Sequence, residues 1–464
     1  MPTARGNAFH QAAPDRGRRG ALYARLSPLL VMLALAIVLV PEEASFFVGG
    51  LRLTLARAIL LALTPLSLVR LVQQAGRRTY RFVWSDALVL PTGLWMLLAV
   101  AVTEGLDRAL VGGGVTALEF VGAYFVARAF LAAHGQALSL ARVLSLSIAV
   151  VGLLSVLDRF AGYYVLHDLV GRLTGLQLDW RYDERYGSIR AAGTFEHPIL
   201  LGTACACAML LATTLPMIAR CFVFAGAAAG LLAAVSSAPM VGAFIGFSCL
   251  AYRRLTPSLE SRWRWLMLAA GIMLALLFAV HSAPFGWLIG HMTIDPATGF
   301  YRLLIWQIAG ADVLQAPVFG IGITDDWARP EWMPSTVDSL WLRAAMSFGI
   351  PGSVLIAACL LGACSRRVDI ARTYLSDDER RLGLVLSLIL FVYIFLGFTV
   401  HFWGAAWILM GLFAGMRAHL GALGAVPTDA AGAFIPEPSA RRPARLALPT
   451  PAPAERGGSA PYVQ

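Results

Sequence analysis

From its first apolar run onward the chain repeats one design: ten to twenty apolar residues, then a short turn carrying arginine. A helix of about 20 apolar residues matches the hydrocarbon thickness of a bilayer. Inside lipid every backbone N–H and C=O must be satisfied within the segment, so such a run must be helical. The alternation predicts an all-α, polytopic membrane protein of about twelve transmembrane helices. Their expected positions are near 22–41, 51–70, 83–103, 115–133, 140–157, 197–217, 221–236, 238–252, 265–283, 339–362, 382–398 and 400–418. The seventh and eighth are short and are split by "SSAP".

Composition agrees with that class. Hydrophobic residues make up 58% of the 464 residues and charged ones only 14%, where a soluble chain carries about a quarter charged. The first run, "LSPLLVMLALAIVLV", follows an Arg-rich leader and has the look of a secretory signal. "PEEASFF" follows it in place of a small-residue cleavage site, so it is read as a retained span. The net charge of +10 does not point to nucleic acid, because the arginines sit beside apolar runs and not on one basic face. Arg70 to Arg81, Arg142, Arg220, Arg253 to Arg264 and Arg366 to Arg381 all fall on one side, the positive-inside arrangement. Both termini are then cytoplasmic: a basic leader over 1–21, a transmembrane domain over 22–419 and a disordered Ala/Pro-rich tail over 420–464. The six cysteines form no C-x-x-C pair and fall in or at the end of spans, which suits small apolar fillers better than metal ligands.

The opposite side receives two large loops, about 158–196 and 284–338, far longer than ordinary connections. They are rich in Trp, Tyr, Arg and Asp. Arg181, Arg185, Arg190, Arg302 and Arg329 there run against the topology rule. Either Asp179, Asp183, Glu184, Asp325, Asp326 and Glu331 neutralise them, or their forked donors clamp an anionic group. Arg190 and Arg302 are the best clamp candidates, since neither has an acidic residue immediately beside it.

In "GTFEHP", Pro198 suits a first helical turn and Glu196 and His197 suit a cap. A carboxylate and an imidazole together are equally an acid/base pair. Arg302 and Trp306 share a helix face, as an interfacial turn with a cation–π pair or as a site. The glycines of "PVFGIGITDDW" make a turn that returns Asp325 and Trp327 to the membrane, and Asp338 with Ser339 suits a helix N-cap, with Trp341 on the face of Asp338. Within the fourth span, Glu119 and Arg128 lie on different faces, so each needs a partner on another helix, or water.

"RAAGTFEHPILLGT", "SSAPMVGAFIG", "YRLLIWQIAGADVLQAPVFGIG" and "STVDSLWLRAAMSFGIPG" stand here in an order and spacing that resembles the O-antigen ligase-related superfamily. The resemblance covers about 185–365. It implies a GT-C-like, metal-independent membrane glycosyltransferase of the bacterial inner membrane, without a cofactor. Its donor would be an undecaprenyl-diphosphate-linked glycan at the periplasmic face. Carried over by position, Arg190 and Arg302 bind the diphosphate. The chemistry of the transfer then makes Glu196, His197 and Asp338 the catalytic candidates, and Trp306, Trp327 and Trp341 are the sugar-contact candidates. Two departures stand out. Asp338-Ser339 falls where ligases have a His-Asn pair, and "SSAPM" lacks an S-R-G pattern, so the likeness leans to the exopolysaccharide-polymerase branch. The implied activity is polymerisation of lipid-linked repeat units. The alternatives are an O-antigen ligase, which transfers a finished glycan to lipid A-core or another acceptor, and a lipid-linked glycan transporter or flippase. A transporter would show internal repeats and a mid-membrane site, and this chain shows neither. The implied partners are the lipid-linked glycan, membrane lipid, and chain-length-control or export proteins.

Overall fold

The computed structural model of the chain describes residues 24–49, 51–77, 80–180, 182–282, 284, 287, 296–324, 326–365 and 375–423. The 1–21 leader, Arg181, Asp325 and the tail from 424 lie outside these residues. The architecture is helical. Helix α1 (Pro28–Leu39) leads into a small hairpin, β1 (Ser45–Val48) with β2 (Leu51–Thr54), and then α2 (Leu55–Gly76). Next come α3 (Trp84–Glu104), α4 (Leu106–Phe130) and α5 (Gln136–Ala161). The first large connection holds a short helix α6 (Val165–Thr174) and a second hairpin, β3 (Glu184–Arg185) with β4 (Ser188–Ile189). Helices α7 (Pro198–Ala212), α8 (Met217–Ala233), α9 (Ser237–Leu255) and α10 (Arg262–Val280) follow. The second large connection contributes α11 (Pro296–Gln315) before α12 (Leu340–Cys364), α13 (Asp377–Leu396) and α14 (Gly404–Leu423).

Every one of the twelve apolar stretches carries a helix. Seven helices among the described residues are long and apolar enough to cross a membrane: α2, α3, α4, α5, α10, α12 and α14. Helices α1, α7 and α8 are apolar but shorter, while α9 ends in Arg253–Arg254 and α13 opens on Asp377, Asp378 and Glu379. Local chemistry sets the helix starts. Thr54 accepts the Arg57 N–H at 3.3 Å, and Ser376 and Glu379 form a reciprocal capping box.

Helix α14 is buried along almost its whole length, against α4, α12 and α13, whereas α10 has no buried residue. Close packing of α5 on α8 rests on small residues: a Cβ added at Gly230 would lie 2.6 Å from the Cα of Gly152.

The charges within α4 find partners on other helices, the first of the two expected solutions. Arg128 grips Asp86 of α3 through Nε (2.9 Å) and Nη2 (2.8 Å), and Tyr124 donates to the same carboxylate at 2.6 Å. Glu119 lies in a π-helical stretch of α4 and meets Arg57 of α2 at 2.7 Å. Both are braces. Each neutralises a charge that would be costly alone in an apolar interior.

Candidate functional site

The candidate site is built on the segment between α6 and α7. Its hairpin turns at Tyr186 and Gly187, both at positive φ (55° and 73°), as a two-residue turn that matches strand twist requires. The turn folds Arg190 back onto Asp183: the Arg190 N–H donates to the Asp183 carbonyl at 2.7 Å and its Nη1 to the carboxylate at 2.8 Å. Arg190 has no acidic neighbour in sequence, and the hairpin supplies one from seven positions upstream.

Backbone from the α8–α9 turn cradles the same arginine. Val235 is held at φ 44°, a left-handed conformation unusual for a β-branched residue. Around it, Arg190 Nε donates to the Ala234 carbonyl at 3.0 Å, Arg185 Nη1 to Val235 at 3.2 Å and the Ala191 N–H to Ala233 at 3.1 Å. The turn just ahead of "SSAP" thus belongs to the site, since its Ala234 and Val235 carbonyls accept from two arginines.

Downstream residues are fixed just as tightly. The buried carboxylate of Asp158 accepts the N–H groups of Val165, Ala192 and Gly193 at 3.0, 3.1 and 2.9 Å. His167 of α6 lies between the Glu43 carboxylate (Nδ1, 2.9 Å) and the Phe195 carbonyl (Nε2, 3.1 Å), while Trp180 Nε1 donates to Glu43 at 2.7 Å. Glu43, Asp158 and His167 are positioning residues that sequence reasoning missed. Their roles depend on contacts across as many as 124 and 137 positions, and nothing local signals them.

Glu196 and His197 are adjacent but take different partners. His197 is the N-cap of α7: Nδ1 accepts the Ile199 N–H at 3.2 Å, so the proton sits on Nε2, 3.3 Å from Asp183 Oδ2. Its one lone pair is therefore occupied. Glu196 accepts the Ala405 N–H at 3.1 Å through Oε1 and so caps α14, while its buried Oε2 has no partner. Gly404, at φ 51°, must be glycine because a Cβ there would collide with this carboxylate. Burial, reinforced by the nearby Glu42 charge, pushes the Glu196 carboxyl up to about 7.

Helix α11 brings Arg302 to the cationic cluster. Arg302 is buried and its Nε lacks a partner, as does Nη2 of Arg190. Burial lowers the pKa of both. For Arg190, pushed down to about 10, repulsion from Arg185 is the next cause, with a smaller part from Arg302, while Asp183 opposes it. For Arg302, Asp338 opposes the burial and Arg185 adds to it. Two buried guanidiniums, Arg190 and Arg302, therefore keep N–H donors left over, with the half-buried Arg185 close enough to repel both. Asp338 is half-buried and makes no hydrogen bond among the described residues. Ser339 does the capping, accepting the Leu342 N–H at 3.3 Å and donating to the Gly397 carbonyl at 3.0 Å.

The three tryptophans singled out by sequence all commit their indole N–H groups to backbone: Trp306 to Phe398 (2.9 Å), Trp327 to Ser335 (2.9 Å) and Trp341 to Ile394 (3.0 Å). Trp306 stacks on Phe398 and not on Arg302. Trp327 is buried in a cluster with Ile305, Met333 and Met346. Trp306 and Trp341 line a mostly apolar groove of about 560 Å³ between α11 and α12. Among the described residues, no group of three His, Cys, Asp or Glu side chains is placed to hold a metal ion. The chain matches no protein-family model, and no curated protein is significantly similar to it.

Proposed function

We propose that the chain is a membrane glycosyltransferase that polymerises undecaprenyl-diphosphate-linked repeat units, with twelve spans, cytoplasmic termini and the site at the periplasmic face of an inner membrane. The observation that carries this reading is the pair of buried arginines, Arg190 and Arg302, each with an unpartnered guanidinium nitrogen and with Arg185 nearby, on a scaffold shared with a carboxyl raised to about 7. Such a cluster suits a diphosphate, whose oxygens accept forked donors. The apolar groove that begins one turn beyond Arg302 suits the prenyl chain of the same donor. Concentration of these features in two connections, and not at mid-membrane, favours an enzyme over a flippase.

The step needs no outside electron source. An acceptor hydroxyl loses its proton to a base, and its oxygen forms the new bond to the anomeric carbon. The bond from that carbon to the phosphate oxygen breaks, and the diphosphate leaves with the electron pair. Charge grows on the leaving group, so the arginines stabilise the transition state more than the ground state. Among the candidate bases, His197 already uses its lone pair in the α7 cap. Glu196 has a free buried oxygen and a proton affinity near neutral pH, which suits general base work. Asp338 acts as counter-charge to Arg302.

The test is reconstitution with a lipid-linked oligosaccharide in EDTA. Polymerisation gives a ladder of lengthening glycans. A single shift that requires an added acceptor means ligation, and glycan crossing the bilayer unreacted means transport. Arg190→Lys and Arg302→Lys should each lower the rate by about 10²–10³ with membrane insertion intact. Near-normal ladders from both variants refute the clamp.

A further inference from the structure

The last connection, between α13 and α14, carries ring side chains that the mechanism above does not use. Trp403 is 36% exposed, and its indole N–H has no partner among the described residues, unlike Trp306, Trp327 and Trp341. His401 stacks beside it, with ring centres 5.5 Å apart and planes 27° apart, and His197 borders it at 5.8 Å. Nδ1 of His401 is buried without a partner. The next residue after Trp403 is Gly404, which touches the Glu196 carboxylate, whose Oε2 is likewise unpartnered. One buried polar atom without a partner, His401 Nδ1, and an exposed indole face therefore flank the base, whose own Oε2 is free.

The chemistry here differs from that of the arginine cluster. Burial, with the Arg343 charge adding to it, pushes His401 down to about 3, so its imidazole is neutral. Arg343 itself is engaged by the carbonyls of Ile323 and Thr324. A flat aromatic face with a free N–H, a neutral imidazole and a carboxylate oxygen fits an uncharged polyhydroxylated ring. The apolar C–H face of a sugar covers the indole, and its hydroxyls reach the polar atoms at the edge.

We propose that Trp403 and His401 form the acceptor subsite, which seats the terminal sugar of a neutral glycan with its hydroxyl toward Glu196. This rests on the glycosyltransferase reading and adds where the acceptor lies: beside His197 and Glu196, against Trp403, which does not line the groove of Trp306 and Trp341. Trp403 contacts substrate in this assignment, and His401 orients it.

Two probes test it on the full-length protein in nanodiscs. One is a panel of neutral heptasaccharides (malto-, cello- and xylo-), and the other is farnesyl diphosphate. Binding of both is measured by calorimetry. The expected result is that Trp403→Ala weakens saccharide binding by about tenfold or more. Trp403→Phe, which keeps the ring face, should retain most of it, and farnesyl diphosphate affinity should stay unchanged in both variants. Arg190→Lys should do the reverse. Saccharide affinity untouched by Trp403→Ala overturns the subsite, as does no saccharide binding to the wild type. If farnesyl diphosphate still binds in an Arg190-dependent way, the donor reading stands while the subsite falls. If the wild type ignores farnesyl diphosphate, it is the donor reading that falls. If Trp403→Ala changes only retention in lipid, Trp403 is an interfacial anchor and the subsite is again overturned.

Discussion

Glu196 shows how one residue can be both structural and chemical. Its Oε1 caps a buried helix through the Ala405 N–H, while Oε2 stays unpaired. Because burial raises its carboxyl from 4.5 to about 7, the folded state holds a proton that the unfolded chain has released between those values. The sign follows: this contribution to stability is complete below about pH 4.5 and is lost as pH rises through about 7. Glycan transfer moves the opposite way, rising with pH through about 7 as the base ionises. Glu196→Gln should cost about 10²–10⁴ in rate and flatten that limb. In thermal unfolding it should fare better against wild type at high pH than at low. An unchanged pH–rate profile in the variant excludes Glu196 as the base. A second prediction concerns Asp338. It neither caps α12 nor makes a hydrogen bond among the described residues, so Asp338→Asn tests its charge. Loss of transfer with unchanged stability supports its role beside Arg302, and full activity removes it from the chemistry. In the braces, Asp86→Ala leaves Arg128 buried without its counter-charge and should destabilise the protein by about 3–5 kcal/mol. Wild-type unfolding of that variant in detergent counts against the brace.

At the level of elements, the helices were legible and the hairpins were not. Uniformly apolar runs leave no alternative to helix in lipid, so each expected span carries one. Arg190 and Arg302 were legible for a related reason: cations on the wrong side of the topology require a cause. Asp183 stood among the acids expected to neutralise these arginines, but its pairing with Arg190 in particular depends on the turn at Tyr186–Gly187, where tyrosine is no ordinary occupant of a left-handed position. Trp403 was hidden in another way. "VHFWG" reads as the start of the last apolar run, and only Gly404 marks the real helix boundary. Three ring residues, His401, Phe402 and Trp403, just ahead of a glycine at the head of a span were the available signal. The α6 helix matters for what it holds. His167→Ala leaves Glu43 without that partner and frees the Phe195 carbonyl, so transfer should fall with Arg190 and Glu196 both intact. His167→Gln, which keeps one donor, should recover part of it. Equal rates for the two variants rule out positioning through this bond.

For the whole molecule, the two large connections should face one compartment and the arginine turns the other. Cysteines placed at the exposed Tyr182 and Trp332 should react with an impermeant maleimide on intact cells, over the signal of the parent chain. One placed at Leu259, in the turn between α9 and α10, should react only after the membrane is opened. Labelling of all three from outside is incompatible with the proposed topology.

The α14 cap also governs when the protein becomes competent during synthesis. Glu196 and Ala405 are 209 residues apart, and the Trp403 platform arrives with the same late segment. A nascent chain that has inserted everything up to α13 already displays its arginines, yet has neither the base held in place nor the aromatic seat beside it. Under the proposed glycosyltransferase reading, such a chain would hold a donor without discharging it. Insertion of the last helix would then be the step that completes the site, and a chain that stalls before it would leave a lipid-linked sugar intact.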